Sequence, residues 1–220
     1  MLEIKSFVFG PFQTNTYVIT INNPMVNDQI VLVLDPACSN EYEQQQLLRY
    51  IENLSAFNFH LSIIATHGHL DHLWGAKWAT DTWNTPVLMH EADIPMAKLM
   101  QQQYNMFGIR TKAEPFPVED IKSARLCRSI EILNLKSQMS NFQLLETPGH
   151  TPGSISLYFP QDKVLFSGDT LFRMGYGRTD LPGGNIGQLI ESLETLFALP
   201  PDTLVYPGHG EMTTIGDEKR

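Results

Sequence analysis

Thr66-His67-Gly68-His69-Leu70-Asp71-His72 places three imidazoles and one carboxylate within six consecutive positions. The run directly follows the apolar, β-branched stretch 61–65, which predicts a strand that ends at the histidines. Donors at this density cannot all be buried without partners, and imidazole and carboxylate are common ligands of zinc and related metals. The run therefore predicts a metal site at a strand end, with an ordinary surface loop as the alternative.

The composition indicates one globular domain, or two tightly fused halves with a sizeable core. The chain has 220 residues, of which 42% are apolar and 18% charged. Residues 1–5 do not begin a secretion signal, and no apolar run approaches the roughly 18 residues of a membrane span. We therefore expect a cytoplasmic protein. The two cysteines, Cys38 and Cys127, lack metal-type spacing, and we expect both to be reduced.

The net charge of −9 argues against a nucleic-acid partner. No block of like charges and no basic stripe interrupts this acidic balance, so a phosphate backbone would be repelled. Metallo-nucleases can share metal motifs with metallo-hydrolases, and the charge therefore favours a small-molecule substrate. We expect neither a nucleic-acid nor a membrane partner, and the oligomeric state stays open.

Hydrophobic periodicity predicts strands and helices in both halves of the chain. In the first half we expect strands at 4–9, 17–21, 30–34, around Ile63 and at 87–89, and helices at 41–54, with Asn40 as its N-cap, 71–82 and 92–104. In the second half we expect strands at 129–133, 142–146, 155–159, 164–166 and 203–206, and a helix at 186–197. The similar order of elements in the two halves favours two packed sheets flanked by helices over one continuous parallel sheet.

Two more histidines lie in turns rich in Gly and Pro that follow predicted strands. These turns are Thr147-Pro148-Gly149-His150-Thr151-Pro152-Gly153 and Tyr206-Pro207-Gly208-His209-Gly210, and a third strand ends in Ser167-Gly168-Asp169-Thr170. Glycines at such turns let the backbone approach an ion closely. Four strand ends are therefore expected to present metal ligands at one edge of the sandwich. His60 and His90 have no place in this pattern, and we expect structural or surface roles for both.

These motifs, in this order, make the chain resemble the metallo-β-lactamase superfamily, and within it the short glyoxalase II-like (hydroxyacylglutathione hydrolase-like) hydrolases. The resemblance covers nearly the whole chain. It rests on the histidine run, the Gly-His turn at His150, the strand-end Asp169 and the final Pro-Gly-His at His209. The segments Thr170-Leu171-Phe172 and Gly177-Arg178-Thr179-Asp180 are similar to the glyoxalase II branch.

The resemblance implies an α/β fold, an αββα sandwich of two mixed β-sheets flanked by helices, that holds two divalent metal ions. Carried over position by position, it implies His67, His69 and His150 for the first ion, Asp71, His72 and His209 for the second, and Asp169 as the bridge. Imidazole nitrogen and carboxylate oxygen suit zinc, the expected metal, and a site of this mixed hardness also admits iron or manganese.

The activity that the resemblance implies is hydrolysis of an acyl thioester, such as S-lactoylglutathione, by a metal-bound hydroxide. Two ions about 3.5 to 4 Å apart lower the pKa of a shared water toward about 7, polarise the carbonyl and stabilise the oxyanion and the departing thiolate. The expected catalytic residues are His67, His69, Asp71 and Asp169, with Asp71 also orienting the hydroxide.

Substrate recognition is expected to involve Arg178, which lies in a Gly-rich loop soon after Asp169. Glyoxalase II-like proteins place a basic residue there for the thiol carrier, so we expect Arg178 to pair with a substrate carboxylate or donate to an amide. An ordinary surface salt bridge is the alternative. Tyr176 is expected to line the same pocket.

Packing roles are expected for a group of apolar residues near the middle of the chain. These are Met96, Met100, Tyr104 and Met106, which we expect in the core or in a lid rather than in a binding stripe. Residues 108–124, with Pro115 and Pro117, form the longest irregular stretch, a candidate lid or a structural loop.

Full-length glyoxalase II carries a C-terminal helical domain that supplies much of its glutathione site. Residues 1–220 are expected to form a single metallo-β-lactamase-like domain without it, and Asp217-Glu218-Lys219-Arg220 resembles the tail of the short branch. We therefore expect a small-molecule thioester substrate whose thiol carrier stays open.

Three other interpretations stay open. Lactone or β-lactam opening is a second hydrolytic candidate; a bridging Asp169 is unusual for β-lactamases of the superfamily and expected of lactonases. A mononuclear iron persulfide dioxygenase would use only His67, His150 and Asp169. A non-catalytic electron-transfer module is the third, although the diiron flavoproteins of the superfamily typically place Glu where this chain has His69. Metal content separates these interpretations.

Overall fold

The first of two main sheets contains six strands in chain order. The computed structural model describes residues 2–23, 28–54, 58–123 and 142–219. The strands are β1 (Leu2–Phe9), β2 (Thr14–Asn23), β3 (Asp28–Leu34), β4 (Asn58–Ile64), β5 (Val87–Met89) and β6 (Val118–Asp120). The first three form the expected antiparallel meander, and β3 to β6 pair in parallel.

The second main sheet has five strands in the order β13-β12-β9-β8-β7. They are β7 (Gln143–Glu146), β8 (Ile155–Phe159), β9 (Val164–Gly168), β12 (Leu204–Pro207) and β13 (Thr213–Thr214), with the small hairpin β10 (Leu171–Phe172) and β11 (Gly175–Tyr176) beside them. β9 and β12 are parallel, so their carboxyl ends meet at one edge of the sheet.

The main core lies between the two sheets, and helices cover their outer faces. In β3, Leu32 and Leu34 pack toward the second sheet, whereas Val31 and Val33 pack toward helix α1 (Glu41–Leu54). Helix α5 (Ile186–Phe197) buries Leu196 against the outer face of the second sheet. The remaining helices are α2 (Ala76–Trp83), α3 (Ile94–Lys98), α4 (Met100–Met106) and α6 (Ile215–Glu218). This αββα sandwich of mixed sheets is the predicted fold class.

Four of the predicted elements match the structure residue for residue. The helices at 41–54 and 186–197 and the strands at 87–89 and 155–159 have the predicted bounds. Asn40 caps the first helix as expected, with Oδ1 accepting from Glu43 N at 3.1 Å. The strand expected at 129–133 lies outside the described residues.

The prediction of one helix over 71–82 is wrong at its start, because residues 71–75 form turns and the helix begins at Ala76. The amide of Gly75 donates to the carbonyl of Pro36 at 2.8 Å instead of to a carbonyl of its own segment. Contact with the loop after β3 therefore overrides the helical pattern.

The prediction of one helix over 92–104 is also wrong, since the segment divides into a 3-10 turn (Glu91–Asp93), α3 and α4. Leu99, between the two helices, has φ −95° and ψ 21°. The carbonyl of Met96 accepts from Leu99 N at 3.0 Å and from Gln103 Nε2 at 3.1 Å. A side chain thus holds the break in place.

The stretch 108–124 is not wholly irregular, because it supplies β6, which pairs with β5. Cys38 is a free, buried thiol, and burial raises its pKa to about 12, while Cys127 lies outside the described residues. None of the helices in the described parts of the chain is long and apolar enough to cross a membrane.

Candidate metal centre

Seven histidine and aspartate side chains from four strand ends meet at one edge of the sandwich. The histidine run follows β4, His150 follows β7, Asp169 follows β9 and His209 follows β12. Their ligand atoms form three overlapping groups: His67, His69 and His150; His67, His72 and Asp169; and Asp71, His72 and His209. Within each group the ligand atoms lie within 4.8 Å of one another. The structure thus brings together the residues that the sequence analysis proposes as ligands.

The first group contains three imidazoles in close contact. His69 Nδ1 lies 3.1 Å from His67 Nε2 and 2.9 Å from His150 Nε2. Four ligands at about 2.0 to 2.1 Å around a tetrahedral zinc are about 3.3 Å apart, and these spacings are near that value. The three nitrogens therefore have the spacing of ligands to one ion.

The second group pairs imidazoles with a carboxylate. His209 Nε2 lies 3.2 Å from Asp71 Oδ2 and 3.3 Å from His72 Nε2, and the latter two atoms are 3.4 Å apart. Thr14 Oγ1 donates to the same Asp71 oxygen at 3.0 Å and orients this carboxylate. This group also has the spacing of a metal-ligand set.

Asp169 lies between the two groups. Its Oδ1 is 3.3 Å from His72 Nε2, and its Oδ2 is 3.5 Å from both His150 Nε2 and His209 Nε2. Oδ1 is buried and has no hydrogen-bond partner in the described residues. A Cβ at position 208 would collide with Oδ1, so only glycine fits there. A buried carboxylate oxygen without a hydrogen-bond partner suits a cation, and Asp169 is placed to contact one in each group.

Hydrogen bonds to the outer ring nitrogens fix which nitrogen faces the site. His150 Nδ1 donates to the carbonyl of Arg178 at 2.7 Å. His72 Nδ1 donates to Asp35 Oδ2 at 2.9 Å. In the neutral imidazoles the Nε2 lone pairs therefore point into the cluster, as metal ligation requires.

Asp35, which the sequence analysis missed, orients two histidines at once. Besides His72, it accepts from Thr66 N at 2.7 Å and Thr66 Oγ1 at 2.8 Å. Because the hydroxyl proton of Thr66 is used on Asp35, Thr66 Oγ1 accepts from His67 Nδ1, 3.1 Å away. His67 Nε2 is thereby left unprotonated. Asp35 is 1% exposed and acts entirely inside the protein.

Asp93, also missed, joins two of the ligand loops. It is fully buried, and its Oδ2 accepts from Gly68 N at 2.8 Å and Thr151 Oγ1 at 2.6 Å, while Oδ1 accepts from Gly153 N at 2.6 Å. These bonds fix the histidine run relative to the turn that carries His150. The loop of His209 is held separately, since Asn15 Nδ2 donates to the carbonyls of Pro207 and Gly210 at 2.9 Å each.

The protonation preferences divide the cluster into two halves. Burial, with the charge on His72, lowers the pKa of His67 well below its usual range, and burial with His150 lowers the pKa of His69 to about 4. Although burial opposes it, Asp71 and Asp169 raise the pKa of His72 well above its usual value, and that of His209 to about 9. A metal ion in the second group must displace these protons, so its affinity should fall as the pH falls.

Of the two expected substrate residues, Arg178 lies at the cavity above the metal centre and Tyr176 does not. Arg178 lines the cavity above the metal centre, but its Nε and Nη2 bond Asp180 Oδ1 and Oδ2 at 2.7 and 2.6 Å. Tyr176 is 59% exposed and is absent from the described lining of that cavity.

The two histidines outside the ligand pattern belong to none of the three ligand groups. His90 accepts from Ala92 N at 3.2 Å and begins the 3-10 turn, which is a structural role. His60 is exposed in β4.

The four residues for which packing roles are expected, Met96, Met100, Tyr104 and Met106, lie in two different places. Met100 and Tyr104 are buried in the core, as expected. Met96 and Met106 instead line a cavity beside His69 and do not belong to this core cluster, and the lid role expected as the alternative stays a prediction. Met96 lies in α3 and Met106 ends α4, on either side of the break at Leu99, and periodicity alone does not show that both line the cavity.

The fold and this cluster define an αββα protein with a buried centre of five histidines and two aspartates suited to divalent metals. The family model described as the metallo-beta-lactamase superfamily matches residues 9–209. The chain belongs to the metallo-β-lactamase superfamily.

Relatives in this superfamily differ in activity. The hydroxyacylglutathione hydrolase GloC of Haemophilus influenzae is 36% identical over 184 residues, which cover 81% of this chain and 81% of the relative. The structure of TTHA1623 in a di-iron-bound form is 31% identical, with a TM-score of 0.76 over 98% of this chain and 97% of that chain. The B3 metallo-beta-lactamase BLEG-1 is 29% identical, with a TM-score of 0.73 over 98% and 96%. Superfamily membership therefore decides neither the metal nor the substrate.

Proposed function

We propose that the protein is a binuclear metal-dependent hydrolase of acyl thioesters, with zinc as the metal of first choice. The position of Asp169 between the two ligand groups carries this proposal, because a mononuclear centre would not need the second group. The likeness to the hydrolase GloC supports the thioester as substrate. The chain would thus belong to the glyoxalase II-like branch of the superfamily.

Divalent cations at such a centre supply Lewis-acid activation of a water nucleophile and of the substrate carbonyl. His67, His69 and His150 would hold one cation, Asp71, His72 and His209 the other, and Asp169 both.

The protein's own contribution is orientation and burial. Thr14 fixes the Asp71 carboxylate, which would orient the attacking water. Because Asp35 and the Arg178 carbonyl fix the imidazoles in advance, the ligand set needs little reorganisation. Water attack on the thioester carbonyl breaks the C–S bond and yields a carboxylic acid and a thiol.

A second candidate is lactone or β-lactam opening, favoured by the likeness to BLEG-1. The same metal centre would activate water for attack on a lactone or on a β-lactam. A mononuclear iron dioxygenase is less well supported, because Asp71, His72 and His209 also have the spacing of a metal-ligand set.

We expect the zinc-loaded protein to hydrolyse S-lactoylglutathione with release of thiol. Arg178→Ala should raise KM a few fold and change kcat little, because an exposed arginine that exchanges Asp180 for a charge of the thiol carrier would bind the ground state and the transition state equally. Thiol release measured with a chromogenic reagent checks this, with a β-lactam and a homoserine lactone assayed in parallel.

Arg173→Ala is the matched control, since Arg173 is also exposed and ion-paired, with Glu211. It should behave as the parent protein. Clear lactone or β-lactam opening without any thioester turnover would overturn the thioesterase proposal.

A further inference from the structure

A second cavity, of about 320 Å³, lies beside the metal centre at His69. Four residues, His69, Gln103, Phe107 and Leu181, also line the cavity of about 160 Å³ above the metal centre. The two cavities are therefore adjacent, and a substrate whose reacting carbon lies at the metal centre has the second cavity within reach.

The wall of the second cavity is mostly apolar, with His69, Gln102 and Gln103 as its polar members. Its main side chains are Met96, Leu99, Met106, Phe107, Leu181 and Pro182. Leu99 is 46% exposed, Met106 59% and Phe107 43%, so these side chains keep much apolar surface in contact with water. Apolar surface gathered at a cavity is typical of a ligand site, and methionine adapts its shape to a chain-like ligand.

The scarcity of charged side chains around the two cavities also favours an apolar ligand. Among the described residues that line the two cavities, Arg178 is the only Lys or Arg, and it is already paired with Asp180. The described lining of the second cavity contains no Asp, Glu, Lys or Arg. A charged group gains no ionic partner there, whereas an alkyl chain exchanges water for apolar side chains.

We propose that the second cavity binds the apolar acyl chain of the substrate, so that the enzyme prefers thioesters of medium-chain fatty acids. This inference rests on the proposed thioesterase function and specifies its substrate class. At about 30 Å³ for each water-sized group, the cavity has room for about ten groups of methylene size, enough for an octanoyl chain. Hydrolysis would consume one water and release octanoate and the free thiol.

A chain-length series on the zinc-loaded protein tests the preference. Thioesters from acetyl to octanoyl on one small neutral thiol should show kcat/KM rising by at least tenfold, since a fully buried methylene is worth up to about fourfold. Met106→Gln should raise KM for the octanoyl thioester and leave the acetyl thioester within about twofold. Met174→Gln, at a position 84% exposed and outside the described lining, is the matched control and should keep the parent profile.

Binding gives a readout that does not depend on turnover. With methyl-labelled methionine, sodium octanoate should shift the NMR signals of Met96 and Met106 and leave those of buried Met89 and exposed Met174 in place. If no thioester is hydrolysed but these two signals shift, the cavity is an apolar ligand site and only the thioesterase proposal fails. A flat or falling chain-length profile, or no shift at Met96 and Met106, would overturn the inference.

Discussion

Asp169→Ala is expected to lose both metal ions and to lower the hydrolytic rate by about a thousandfold. The carboxylate lies between the two ligand groups, so its removal takes a ligand from each and leaves His72 and His209 with Asp71 as the one carboxylate they share. A bound metal contributes several kcal/mol to stabilisation of the transition state, which corresponds to a rate factor of about 10³. Metal content after dialysis, measured by elemental analysis, and the rate of thiol release check the two effects.

His209→Ala is the matched variant, because it removes a ligand of the second group only. It should keep about one ion per chain and lose most of the activity. Circular dichroism on both variants separates a folded protein without metal from an unfolded one. Retention of both ions by Asp169→Ala, or equal loss of both by His209→Ala, would contradict the assignment of Asp169 as the bridge.

Asp35→Asn is expected to weaken metal binding by about 10- to 100-fold without touching a ligand, the usual cost of losing a hydrogen-bond partner behind a metal-bound histidine. The amide keeps the shape of the side chain, and Asn tolerates the positive φ of 53° at this position. It removes the charge that accepts from His72 Nδ1 and from both Thr66 donors. The free energy of unfolding should also fall, by about 3 kcal/mol, because a buried charge pair is broken.

Competition with a chromogenic chelator measures the affinity, and thermal unfolding measures the stability. Asp202→Asn is the control, since Asp202 forms an exposed ion pair with Lys163 at the starts of β12 and β9, the ends of these strands opposite to the ligands. It should change neither quantity. An unchanged metal affinity in Asp35→Asn would show that the histidines are oriented without this carboxylate.

The ligands could be predicted because each stands in a short motif at a strand end. Histidines, glycines and prolines within a few positions indicate a turn that carries metal ligands. The order of these motifs along the chain indicates the family and, through it, which ligands share an ion. The predicted strands and helices follow in the same way from periodicity within one segment.

Asp35 and Asp93 could not be predicted, since their partners are remote in sequence. Asp35 lies 31 residues from Thr66 and 37 from His72, and Asp93 lies 58 residues from Thr151. Asp35 follows the predicted strand 30–34, but neither carboxylate stands in a motif of histidines and glycines like those of the ligands. Only the packing of the loops shows that both are buried and which donors they meet.

The wrong helix bounds have the same physical origin. Residues 71–75 carry a helical pattern, but contact with Pro36 and the requirement that Asp71 and His72 face the centre impose turns. Tertiary contacts thus override local propensity where the chain supplies ligands.

The number of metal ions per chain tests the central claim most directly. The protein as purified, or reconstituted with zinc and freed of excess metal, is analysed for metal and protein content in the same sample. We predict two ions per folded chain, held by the two ligand groups on either side of Asp169. A single tightly bound iron per chain, with oxygen consumed on a persulfide substrate, would contradict the binuclear hydrolase.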